Sequence, residues 1–330
     1  FLFEVKWDPV NPGEDYQGGI VAAVADVHPY GSAADPALTF AQIGSMIPAD
    51  TFYIEVNWAV TNLFWEQWLR KDLLVFRVGN LQAMNVLDFF RYADFRTSFS
   101  LNGLGFPLTS IPFGPPGLGL AVKWWDEKRG GLYVTGAAND INSEVDELDW
   151  STPFEAGEVF AGIEVGHNWK RMGESGGGEL DHVHLLVFYA DAPSRKTFPS
   201  ESGWGFKIAG EKQWGQWVAF ANYTYNTAKG GGFGFTYNEH NVNVGVAYNK
   251  PLGIRGEAAL AVVWAKELDG SNCGPIDCQG RDQWASELYW KILLAPDFWV
   301  TPGIQFHFNP VNNPTEDLVV VPLLKLRLFF

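Results

Sequence analysis

The chain has no long hydrophobic run. Every apolar stretch in its 330 residues is interrupted by a charged or polar side chain well before the ~18 residues that a membrane helix needs. A helical span is thereby excluded, and the mean hydropathy of -0.07 resembles that of a soluble protein. Strands that alternate apolar and polar residues average to the same neutral value, so a membrane barrel stays open. Basic residues are scarce: 23 Lys and Arg stand against 38 Asp and Glu, a formal net charge of -15. No basic patch is present to neutralise phosphates, which excludes nucleic acid as a partner. Cysteine is nearly absent. The only two, Cys273 and Cys278, lie in the Gly/Pro/Asn/Asp loop SNCGPIDCQG, where a close pair reads as a disulfide closing a small ring in an oxidising compartment. Two thiols with no second CxxC or His pair beside them make a poor metal site, so neither metal nor cofactor is expected. The opening Phe1-Leu2-Phe3-Glu4 lacks a signal-peptide pattern, and mature sequence is expected.

What is present is aromatic and alternating. Aromatics make up 15% of the chain with 15 Trp, Gly numbers 36, and charged residues are 18% against a typical ~25%. The last stretch, Asp317 to Phe330, carries Leu318, Val320, Pro322, Leu324, Leu326, Leu328 and Phe330 on one face, with Lys325 and Arg327 on the other. Similar period-two segments recur along the chain. Thr51 to Val60, Leu63 to Arg70 and Asp72 to Gly79 read as three strands, Ala37 to Pro48 as a strand or short helix, and a long series resumes at Gly117. The total is about 16, an even number as in bacterial single-chain barrels. The fold class expected is an all-β, antiparallel up-and-down transmembrane β-barrel forming a single domain over 1–330.

Connection lengths give an internal test, because such barrels alternate short periplasmic turns with longer external loops. Counted back from the last strand, the connections at 295–297, 250–253, 213–214, 126–130 and Lys71 are short. Those at 310–316, 268–282, 228–238, 191–202, 141–156 and 80–116 are longer. Lys170 to Leu180 breaks the rule. Trp124, Trp214, Tyr248 and Phe298 gather at the expected periplasmic rim, as an interfacial girdle should. A soluble sandwich would show no such parity.

If the apolar faces meet lipid, the other faces line a lumen. That inward face is read as polar: Glu55, Glu66, Arg70, Arg77, Lys123, Tyr133, Glu164, His184, Lys207, Asn222, Asn243, Glu287, Lys291, Gln305, His307, Lys325 and Arg327. Opposed charges across a lumen orient hydrated solutes without trapping them. In the longest connection, Asn80 to Pro116, the stretch 80–110 carries five Phe, one Tyr, two Arg and two Asp. Loops of such length are usually functional, and aromatic faces beside Arg and Asp forks suit sugar recognition. Two readings stay open and can coexist: a loop folded into the pore, or an external cap with Phe89, Phe90, Phe95 and Phe99 as its own core. The eyelet and sugar-binding candidates are Glu66, Arg70, Arg77, Asp88, Phe90, Arg91, Tyr92, Asp94, Arg96, Asn102, Lys123, Glu164, Lys207 and Glu287. No catalytic residue is expected. The six His have no Ser partner in a recognisable motif, and Glu66 with Glu164 or Glu287 is a chance carboxylate pairing in a polar lumen.

The run from Asn62 to Ser110 resembles the carbohydrate-selective porin family (OprB type), through Glu66-Gln67, Arg77 with Gly79, Ala93 and Asn102. The tail is also similar, through Glu287, Tyr289, Ala295-Pro296, Pro302, Gln305 and Asn309-Pro310. The resemblance implies a 16-stranded outer-membrane barrel taking up mono- or oligosaccharides by passive diffusion. Its partners would be sugars, outer-membrane lipids and lipopolysaccharide, with the chain as monomer or homotrimer. A general or other-solute porin is the alternative, and a barrel enzyme a more distant one.

Overall fold

The computed structural model describes residues 2–28, 42–50, 56–70, 73–88, 91–92, 97–104, 107–126, 131–145, 147–148, 150–169, 181–268, 281–313 and 315–328. Within them the chain forms fifteen strands in one sheet. In order these are β1 (Leu2–Val10), β2 (Gly18–Val27), β3 (Val56–Arg70), β4 (Leu74–Leu81), β5 (Gly117–Asp126), β6 (Leu132–Asp140), β7 (Val159–Asn168) and β8 (His182–Ala190). There follow β9 (Gly203–Trp214), β10 (Trp217–Asn226), β11 (Asn238–Asn249), β12 (Gly256–Glu267), β13 (Asp282–Ala295), β14 (Phe298–Phe308) and β15 (Leu318–Leu328). Each strand pairs antiparallel with the next, so the topology is an uninterrupted up-and-down meander.

Period-two sequence becomes period-two burial. In β8, His182, His184, Leu186, Phe188 and Ala190 are buried, while Val183, Leu185, Val187 and Tyr189 are exposed. β15 behaves the same way, with Leu324 66% and Leu326 64% exposed between the inward Leu323, Lys325 and Arg327. Similar apolar faces stand exposed on β5, β7, β9, β11, β12 and β13, the band that a membrane barrel turns to lipid. The expected rim girdle is in place: Trp217 packs on Tyr248 with ring centroids 4.7 Å apart, across a turn from the exposed Trp214. Short connections and long connections fall on opposite ends of the sheet as expected. The exceptional connection near 170–180 and both cysteines lie outside the described residues.

One strand fewer than the expected count has a physical cause. Thr51 to Val60 and Leu63 to Arg70 look like separate strands because their apolar faces are out of phase. In the structure, residues 56–70 are one strand with a β-bulge, where pairing jumps from Ala23↔Asn62 to Val24↔Val60. A bulge inserts one unpaired residue and swaps the faces beyond it, so Phe64 and Glu66 face inward on one side and Ala59 on the other. The stretch considered as strand or helix at 37–48 is described only from 42, and residues 42–50 form no strand.

The sheet curls around two inserted segments. The connection from β4 to β5 is hydrogen-bonded to β6, β7, β9, β12, β13 and β15 through its described residues. Residues 45–49, between β2 and β3, bond to β13 and β14. A segment touching strands so far apart in sheet order must lie inside a barrel.

Candidate functional site

The inward face is more apolar than its sequence suggests, and this corrects the reading of that face as polar. Two buried apolar clusters sit inside the barrel. One joins Met46, Ile47, Tyr92, Phe99, Leu101 and Leu104 of the inserted segments to Phe220, Val263 and Tyr289 of the wall, where Ala247, Ala259, Ala261, Ala265 and Ala285 leave room for them. The other joins Leu81, Ala83, Leu87, Leu108, Ile111 and Phe113 to Phe64, Phe160, Leu186 and Phe188. Tyr92 stacks on Phe220 at 4.3 Å and Phe99 meets Tyr289 edge-on at 4.8 Å. Phe99 therefore builds its core against the wall. Phe89, Phe90, Phe95, Asp94 and Arg96 lie outside the described residues.

Between the clusters, charged side chains fasten the β4–β5 segment to the barrel. Asp88 accepts from Lys207 Nζ at 2.6 Å and lies 3.1 Å from His184 Nε2, while its own backbone N–H donates to Glu164 at 2.5 Å. Glu164 in turn accepts from the Tyr133 hydroxyl at 2.6 Å, and that hydroxyl lies 2.8 Å from His182 Nε2. Burial alone would raise the Asp88 carboxyl, but the charge of Lys207 and the contact with His184 outweigh it and hold the group below its ordinary value. Three positions on, Arg91 donates to Glu257 at 2.5 Å and to Asn249 at 3.1 Å. Glu257 also accepts from the hydroxyls of Tyr289 at 2.6 Å and Tyr92 at 3.3 Å. Burial beside that carboxylate pushes the Tyr92 phenol well above its usual range. Glu287 accepts the backbone N–H groups of Ser100 and Leu101 and the amide of Gln305, which also donates to the Ala49 carbonyl at 2.6 Å. Asn102 ties the two segments together, its N–H donating to the Pro48 carbonyl at 2.9 Å.

A separate group lies toward the short-turn end. Glu66 takes Lys6 Nζ and Arg77 Nε, both at 2.8 Å, and Arg77 also lies over the Phe64 ring at 5.4 Å. Lys123 stands over Tyr133 at 5.0 Å and Trp125 at 5.6 Å. Lys291 and Arg327 flank Trp299, each 5.5 Å from its centroid. These cations on aromatic faces remain partly open, the combination that binds polar and hydroxylated solutes. The Gly of the Arg77-x-Gly79 pair is a steric requirement: its φ is +138° and a Cβ there would come 2.5 Å from the Leu63 carbonyl oxygen.

The candidates thus divide. Asp88, Arg91, Tyr92, Asn102, Glu164, Lys207 and Glu287 are brought together as fasteners of the inserted segment, and Glu66, Arg77 and Lys123 form the open group. Arg70 is exposed at the end of β3 and joins neither. Glu66, Glu164 and Glu287 each serve a different set of donors. Glu257 and the 42–50 segment were not foreseen as site features. The row of small inward residues on β12, Ala259, Ala261 and Ala265, is the sequence signal that something bulky must fill the space opposite.

Comparison with known proteins agrees with this geometry. The chain is similar to the high-pH structure of Pseudomonas putida OprB, with a TM-score of 0.68 and 15% identity over 99% of this chain and 86% of that one. It is also similar to the outer-membrane channel DcaP of Acinetobacter baumannii, with a TM-score of 0.52 and 10% identity over 99% and 83% of the two chains. An anion-selective porin from Comamonas acidovorans gives a TM-score of 0.52 and 9% identity over 93% and 77%. No protein-family model and no curated relative matches the chain. The fold is that of the bacterial outer-membrane porins. With its exposed apolar band, it places the chain in a bacterial outer membrane.

Proposed function

We propose that this chain is a porin that passes mono- or oligosaccharides by passive or facilitated diffusion. The observation that carries the reading is the β4–β5 segment laid across the barrel interior beside a partly open group of cations on aromatic faces. The segment's backbone is held by Glu164 and Glu287, so its position is set by wall charges rather than by chance collapse. Arg77 over Phe64, and Lys123 beside Tyr133 and Trp125, then supply partly open cations next to the narrowed passage. The motif resemblance around Glu66-Gln67 and Arg77-x-Gly79 supports the same reading, as does the structural likeness to OprB. Asn102 and the segment's remaining candidates would shape the eyelet, with Glu66 and Lys123 on its wall.

Single-channel current in planar bilayers, with a panel of sugars, tests this directly. Concentration-dependent block by at least one sugar is expected, and Arg77→Ala should weaken it. Conductance that no sugar blocks while amino acids and small ions pass freely would replace the sugar reading with that of a general or other-solute porin.

A further inference from the structure

The loops beyond the strand ends hold a cavity of about 170 Å³, lined by Asn142, Ser143, Glu144, Glu147, Thr152 and Arg195. It lies between the β6–β7 and β8–β9 connections, on the long-loop side of the barrel. Its floor is built of buried polar groups: Asn142, Ser143 and Thr152 are all nearly inaccessible. Beneath them the Asp140 carboxylate accepts the Asn142 N–H and the Ser143 hydroxyl, each at 3.0 Å, and the Thr152 hydroxyl.

The two loops are braced against each other. The Arg195 N–H donates to the Asn142 side-chain oxygen at 3.1 Å, and the Asn142 amide donates to Glu158 at 2.8 Å. Glu158 also accepts the Ser194 N–H at 2.7 Å, and Lys196 donates to the Ser143 carbonyl at 2.6 Å. Both cations at the rim are held by acids, Arg195 by Glu155 and Lys196 by Glu144. Glu147 is exposed and makes no ion pair among the described residues. Two aromatic side chains flank Thr152 in sequence and stand in the open: Trp150 is 45% and Phe154 83% exposed. They lie beyond the strands, so the lipid that covers exposed rings elsewhere on this barrel does not account for them.

We infer that this cavity is an outer-mouth capture subsite for neutral, hydroxyl-rich solutes. The surplus of carboxylates repels anions. A carboxylate with free lone pairs accepts paired hydroxyls, and exposed ring faces take the C–H face of a sugar. A braced floor means little ordering cost on binding. The inference rests on the sugar-porin reading for its choice of ligand and adds a first stop ahead of the eyelet, which concentrates solute at the mouth.

The test uses the full chain in planar bilayers, with glucose and maltose added separately to each side. Glu147→Ala and Trp150→Ala should each raise the half-blocking concentration from the loop side about fivefold, the effect of losing one net contact. Block from the opposite side and sugar-free conductance should stay as in the parent, the latter also showing that the variants assemble. Unchanged loop-side block in both variants overturns the subsite. If neither sugar blocks the parent from either side, the sugar-channel reading fails separately. Saturation-transfer NMR with the same two sugars then decides the subsite: binding lost in both variants upholds it, and absent or unchanged binding overturns it.

Discussion

Lys207 on β9 donates to Asp88 in the β4–β5 segment at 2.6 Å, 119 positions apart in sequence and with both side chains buried. A lone charge left at such a site is far costlier than the pair is favourable. Lys207→Met should therefore weaken docking of the segment by about 3–5 kcal/mol. Larger, noisier single-channel steps are the expected result. The charge-free pair Asp88→Asn with Lys207→Met should recover much of the parent behaviour, because no unpaired ion remains. Equal conductance in parent and single variant would show that the pair does not hold the segment.

Acid should release the same contact. The Asp88 carboxyl is held below its ordinary value of 3.8. A group whose folded value is depressed contributes stability that is complete above the unfolded value and is lost as pH falls through the folded one. The contribution is thus intact at neutral pH and down to about pH 4, and fades only below that. Conductance recorded from pH 7 to pH 3 should stay level and then rise or become noisy in the most acid range. Asp88→Asn should remove that acid step.

Phe99 tests the apolar half of the anchorage. It is fully buried between Tyr92, Phe220 and Tyr289. Phe99→Ala leaves a cavity there, at a cost of about 3–5 kcal/mol for a buried aromatic. Because the loss falls on the inserted segment rather than on the strand ladder, the barrel should still assemble. Protease should cut within 80–116 in the variant while the parent resists. Equal resistance would place the segment's stability in its ion pairs alone.

The barrel itself was legible in the sequence, because alternation is local and connection lengths need only a correct strand count. Both survive an error of one strand near the start, as the bulged β3 shows: the phase change at Thr61 mimics a break, yet the named inward residues of β4 to β11 and β13 to β15 keep their phase. The site was legible only in part. Asp88, Glu164 and Lys207 could be named as charged residues facing a lumen, but their partnership depends on how a long connection returns across the barrel, and no periodicity encodes that path. Glu257 was passed over because it sits among alanines. The significance of those alanines emerges only once Tyr92 and Phe99 are known to fill the space above them.

The lipid-facing assignment of β15 makes a prediction that depends on one residue's phase. Leu324 lies near the middle of the strand, 66% exposed and paired with Pro302 on the apolar face. Its neighbour Leu323 faces inward. An arginine on the lipid face near the bilayer midplane costs about 2–4 kcal/mol, whereas lumen substitutions mainly tune passage. Leu324→Arg should therefore lower the denaturant midpoint for folding into lipid vesicles, and Leu323→Gln should leave it close to the parent. The reverse order would mean that the faces are exchanged. A slip of one residue at β15 exchanges the faces of the whole strand, so Lys325 and Arg327 would then meet lipid and Trp299 would keep only Lys291 of its two flanking cations. The two substitutions thus report on the register of the strand as well as on its surroundings.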